Sequence, residues 1–134
     1  MRLDDYVAEK NLGRVDFIKM DIEGAEWFAL QGSSELLSRW RPTMLVEINR
    51  RTCRALGYEP ELIWEFFKPY GYLMWAVGQS PDACRSLSSL AGVDIANVIF
   101  YTGRLPDEVT GGWSYKSVLR FHRRRSRRSG RDAS

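Results

Sequence analysis

At 134 residues the chain has room for one domain and excludes a comfortable two-domain enzyme. Hydrophobic residues at 44% and charged residues at 28% exclude a disordered chain, and no apolar run nears the ~20 residues of a membrane-spanning helix. The net charge of +3 hides a division: residues 119–134 hold seven arginines against Asp132, while acids outnumber bases in the body, which argues against a domain with a basic nucleic-acid-binding face.

Leu3, Tyr6 and Val7 fall at i, i+3 and i+4 behind Asp4 and Asp5, the pattern of a short amphipathic helix that Asn11 and Gly13 end. Acids this early are unlike a secretory leader. Val15–Met20 reads as a strand closed by Asp21, and Gly24 permits a tight turn into a helix starting near Ala25. Gly32 costs that stretch about 1 kcal/mol relative to Ala. Two short helices are therefore expected, burying Trp27 and Leu30, then Leu36, Leu37 and Trp40. Thr43–Ile48 is a near-continuous apolar run, as in a strand covered on both faces.

Pro60 suits the first turn of a further helix, with Leu62, Ile63, Phe66 and Phe67 inward and Pro69 and Gly71 as its stop. Tyr72–Val77 and Asn97–Tyr101 are the remaining strands. Gly78 to Asp94 reads as a polar connection with a helical turn at Arg85 to Leu90. Beyond Gly111 no core pattern continues. The expected division is a folded body over 1–118 and a disordered basic tail over 119–134, the tail being a weak, nonspecific binder of anions such as RNA or lipid headgroups. Strands alternating with helices imply an α/β fold with a mostly parallel sheet of about four strands, the last two antiparallel at one edge.

Cys53 and Cys84 lack metal-type spacing and His122 is the single histidine, so a zinc site or a Ser-His-Asp or Cys-His hydrolase lacks raw material. Reduced thiols in the cytoplasm are the expectation. In open α/β sheets ligands sit beyond the C-terminal strand ends. Asp21 with Glu23, and Glu47, fall at two such ends and converge if those strands are neighbours. The acids then serve as a base, a polar anchor for a hydroxylated substrate or metal ligands; a plain helix cap by Glu23 or Glu26 is the structural alternative. Lys19 pairs with Asp21 or with a missing segment, or it snorkels. The five tryptophans read as packing more readily than as a stacking surface.

The stretch LDDYVAEKNLGRVDFIKMDIEGAEWFALQGSSELL, followed by RPTMLVEI, resembles the signature of FkbM-type methyltransferases over residues 3 to 48. The resemblance implies a Rossmann-like fold and transfer of a methyl group from S-adenosylmethionine to a hydroxyl of a small molecule or sugar. It sets Asp21 and Glu23 beside the transferred methyl and Glu47 on the next strand. Those three are the candidate catalytic residues, with Glu47 in support and no metal assigned. The family's Gly-rich cofactor turn and ribose-binding acid have no counterpart here, so the chain resembles the C-terminal part of the domain with its first half absent, and the cofactor-binding residues stay unknown. Three readings follow: the enzyme, a half-domain that is catalytically incompetent without a partner, and a basic-tailed module for RNA or membrane.

Overall fold

The computed structural model describes residues 1–78 and 83–105. Chain order gives α1 (Leu3–Glu9), β1 (Phe17–Met20), α2 (Glu26–Leu30), α3 (Ser34–Trp40), β2 (Thr43–Asn49), α4 (Arg50–Ala55) and α5 (Glu61–Phe67). A 3-10 turn (Lys68–Tyr70) precedes β3 (Leu73–Val77), β4 (Arg85–Leu87) and β5 (Ile95–Tyr101). The five-stranded sheet has the order β1-β2-β5-β3-β4.

The α/β class holds, but the sheet is mostly antiparallel rather than mostly parallel. β1 and β2 run parallel with Met20 beside Val46; β5 is antiparallel to both β2 and β3, and β4 to β3. β1, β2 and β3 do point the same way, as alternation with helices requires. The reversal comes from β5, which enters the gap between β2 and β3. A parallel return needs a crossover of a dozen or more residues, usually a helix. Among the described residues between β3 and β5 there is no α-helix. The segment read as a helical turn at Arg85 to Leu90 instead begins with β4, a hairpin partner of β3.

Alternation along the strands separates two apolar layers. Met20, Met44, Val46, Ile48, Met74, Val98 and Phe100 meet residues from every described helix, including Leu30, Leu37, Ile63 and Phe67. Leu45, Val77 and Ile99 form the opposite layer with Leu105, Phe17, Trp75 and Tyr101. β2 is thus covered on both faces, as its apolar run implies. Leu62, expected inward on α5, points out at 40% exposure. Trp27, Trp40, Trp64 and Trp75 all pack against these two layers, in keeping with the packing reading; Trp113 and the basic tail lie outside the described residues.

The break at Gly32 has a tertiary purpose. A Cβ there would stand 2.8 Å from that of Arg2, so only glycine lets the start of α1 come this close. The Asp4 amide donates to the Gly32 carbonyl at 2.8 Å, and the Asp4 carboxylate accepts from the amides of Glu35 (3.2 Å) and Leu36 (3.0 Å). Asp4 therefore caps α3 from another helix. Ser33, the local N-cap, instead donates its hydroxyl to the Leu30 carbonyl at 2.6 Å.

The helix α4 follows β2 directly and has no apolar period for a sequence reading to detect. Asn49 starts it, its Oδ1 accepting from the Arg51 and Thr52 amides. Arg50 then ties three segments together. Its guanidinium reaches Glu59 at 2.6 Å, Glu61 at 2.9 Å, and the carbonyls of Leu90 (2.7 Å) and Val93 (3.1 Å). Planar bidentate pairing suits a largely buried arginine, because every donor finds an acceptor.

Candidate active site

Because β1 and β2 are parallel neighbours, their C-terminal ends emerge together. Asp21 follows Met20, which stands beside Val46, so Asp21 falls level with Glu47. Carboxylate oxygens of Asp21, Glu23 and Glu47 lie within 4.8 Å of one another. The structure brings all three sequence-predicted acids to one place. Asp21 and Glu23 are exposed and Glu47 is half-buried. Such spacing would suit a cation, yet exposed acids commonly stand this close without one, and no metal is assigned.

Two backbone features shape the turn that carries Glu23. Glu23 and Gly24 adopt consecutive left-handed conformations, φ +56° and +98°. The first is uncommon for a residue with a side chain. The second places Gly24 against Thr52 of α4, where an added Cβ would meet Thr52 backbone and Cβ atoms at 2.9 Å. Glu26, only 2% exposed, accepts from the Ile22 amide at 3.0 Å and closes the turn from below. The helix cap considered for Glu23 or Glu26 is not made: α2 has no side-chain cap, and Glu26 ties the turn at Ile22 instead.

The charges are arranged unevenly. Lys19 Nζ pairs with Asp21 at 3.1 Å. Burial pushes the Glu47 carboxyl above the ordinary glutamate value, the negative charges of Asp21, Glu23 and Glu26 add to this, and Lys19 opposes it. Glu47 therefore holds a proton more tightly than an ordinary glutamate. Asn97 of β5 stands opposite Glu47 in the ladder, on the same face of the sheet. Sequence reading missed Asn97 as a neighbour of the site because the position of β5 was not readable. The available signal was a lone amide side chain inside an otherwise apolar strand.

In open α/β sheets the C-terminal ends of parallel strands are where ligands sit, and the three acids gather at two such ends. The model of the methyltransferase FkbM domain matches residues 1–74, more than half of the chain. This chain belongs to the FkbM methyltransferase family. No curated protein and no solved structure gives a significant match. The matched region contains β1, the acidic turn, β2 and Glu47, and ends inside β3.

Among the described residues no helix is long and apolar enough to cross a membrane. Cys53 is buried and Cys84 half-buried, and neither is in a disulfide.

Proposed function

We propose that the crevice of Asp21, Glu23 and Glu47 is the acceptor side of an S-adenosylmethionine-dependent O-methyltransferase acting on a hydroxyl of a small molecule or sugar. The observation that carries this reading is the convergence of the three carboxylates in a chain of the methyltransferase family. When bound, S-adenosylmethionine supplies a methyl group on a positively charged sulfur. The described residues hold no glycine-rich turn after a strand that would let a nucleoside approach the backbone, so no cofactor contact is assigned to this chain. What the chain's own residues do is narrower. Asp21 and Glu23 accept from the acceptor hydroxyl and orient it, and orientation is a large part of what a transfer of this kind needs. Glu47 supports them and, with its raised basicity, takes the proton as the oxygen is alkylated.

In the native gene product, Glu47→Gln is expected to lower the rate of labelled-methyl transfer by about 10²-fold, the usual size of a lost general base. Unchanged transfer removes Glu47 from the reaction.

Two observations favour a second reading. Among the described residues β1 pairs with β2 alone, and no strand is followed by a glycine-rich turn. On that reading these 134 residues supply the acceptor half, and the cofactor contacts come from chain outside them or from a partner. Isothermal titration of the 134-residue chain with S-adenosylmethionine separates the two. Binding at micromolar Kd, about −8 kcal/mol, would bring the cofactor contacts inside this chain, whereas weaker binding supports the second reading.

A further inference from the structure

The structure assigns Tyr58 as a positioning residue for the acidic turn, acting from outside the strand-turn-helix unit that carries Asp21 and Glu23. This inference takes its site from the proposed function, but its geometry stands apart from any activity. The Tyr58 hydroxyl donates to the Gly24 carbonyl at 2.6 Å, across 34 positions of sequence, and the bond is buried. The residue is 7% exposed, and its ring packs edge-on against Phe28 of α2 at 5.8 Å. Burial pushes the phenol well above its ordinary value, so it remains a donor at every physiological pH.

Gly24 is the residue whose left-handed φ follows that of Glu23. A carbonyl held there fixes the Gly24–Ala25 peptide plane, and so the side of the turn by which Glu23 is joined to α2. The turn is gripped on three sides: Glu26 from within, the Thr52 backbone against Gly24, and Tyr58 on the carbonyl.

Tyr58 is itself held. Arg50 binds Glu59 and Glu61 on either side of Pro60, and Arg54 binds Glu59 at 2.7 Å, so the segment carrying Tyr58 is pinned to the start of α4. The Tyr58 amide also donates to the Cys53 carbonyl at 3.2 Å. Nothing in this chain of contacts is close to the turn in sequence, yet it ends on the carbonyl between Glu23 and α2.

A matched control exists within the same molecule. Tyr72, 2% exposed, donates its hydroxyl to the Pro42 carbonyl at 2.8 Å, at the opposite end of β2. Tyr58→Phe and Tyr72→Phe each remove one oxygen and one buried tyrosine–carbonyl bond. The experiment is native-state amide exchange on the full chain, with Ile22 and Ala25 reporting on the turn and Val98 and Phe100 on the sheet. In Tyr58→Phe, exchange at Ile22 and Ala25 is expected to quicken roughly fivefold to tenfold beyond any change in the sheet. In Tyr72→Phe the turn and the sheet should change together. Equal effects of the two substitutions on the turn, or no selective effect of Tyr58→Phe, overturn the assignment.

A kinetic arm tests the link to the reaction in the native gene product. There Tyr58→Phe should lower kcat for methyl transfer while leaving the KM for S-adenosylmethionine unchanged. A rise in that KM with kcat intact overturns the link. Absence of methyl transfer by the wild type strikes the proposed function and leaves the exchange result standing.

Discussion

The two ends of the sheet are built to different standards of rigidity. At the β3–β5 end, Val98, Ile99 and Phe100 have no exposure and β5 is laddered on both sides by antiparallel neighbours. Phe100 stacks on Phe67 with ring centroids 4.2 Å apart. At the β1–β2 end, β1 is four residues long, pairs on one side among the described strands, and opens into a turn with two left-handed residues and three gathered carboxylates. The difference teaches where the strain is carried. Mutual repulsion of acids and a positive φ on glutamate each cost stability, and the apolar layers of the other end offset that cost. Glu47 joins the two: its strand is laddered to β5 along one edge and to β1 along the other.

The largest expected effect comes from cutting into the rigid end. Phe100→Ala removes a fully buried ring and should destabilise the chain by about 3–5 kcal/mol. Chemical denaturation would show it as one transition moved to lower denaturant. Two separated transitions would mean that the two ends fold independently, and the contrast would then be between two units rather than within one.

An intermediate effect is expected at the acidic turn. Gly24→Ala must move α4 backbone that stands 2.9 Å from the new Cβ, while holding a φ that alanine resists. A loss of about 1–3 kcal/mol follows. Methyl transfer by the native gene product should fall with it, since Glu23 is displaced. A stable, fully active Gly24→Ala variant would show that the turn tolerates what its geometry forbids.

The smallest effect distinguishes the ends by pH. Glu47 is raised in the folded state, so the folded chain holds that proton more tightly than the unfolded one. Its penalty is absent below the ordinary carboxylate range, grows as pH rises, and is complete above the raised value. Glu47→Gln should therefore raise the thermal midpoint at neutral pH, and its advantage over wild type should vanish on acidification. Glu61, lowered by its bond to Arg50, and Glu59, lowered by Arg54 and then Arg50, behave oppositely. Their contribution is present above the ordinary range and is lost as pH falls through their lowered values. Midpoints measured from neutral to acid pH check both signs. A pH-independent gap between Glu47→Gln and wild type would remove the charge repulsion from the account.

Local pattern made much of this molecule legible. α1, the broken pair α2 and α3, and the strands around Met20, Val46 and Met74 follow from apolar spacing and from Gly24, Gly32 and Pro60. Asp21, Glu23 and Glu47 were recognisable as a group because strand ends mark where ligands sit. Residues 3 to 48 carried the family resemblance for the same reason: its motif is a contiguous strand, turn and helix.

What tertiary structure alone decided is a matter of contacts distant in sequence. β5 has the same apolar run whether it lies at an edge or between β2 and β3, so its placement, the antiparallel character of the sheet and the position of Asn97 beside Glu47 were unreadable. β4 has three residues and α4 has no apolar stripe, and each exists through its neighbours: β3 for one, Asn49 and the acids around Arg50 for the other. Tyr58 meets Gly24 across 34 residues. Composition and period choose which segments become helices and strands, because those choices depend on nearest neighbours along the chain. Which strand lies beside which, and which hydroxyl holds which carbonyl, depends on how the apolar layers close in space.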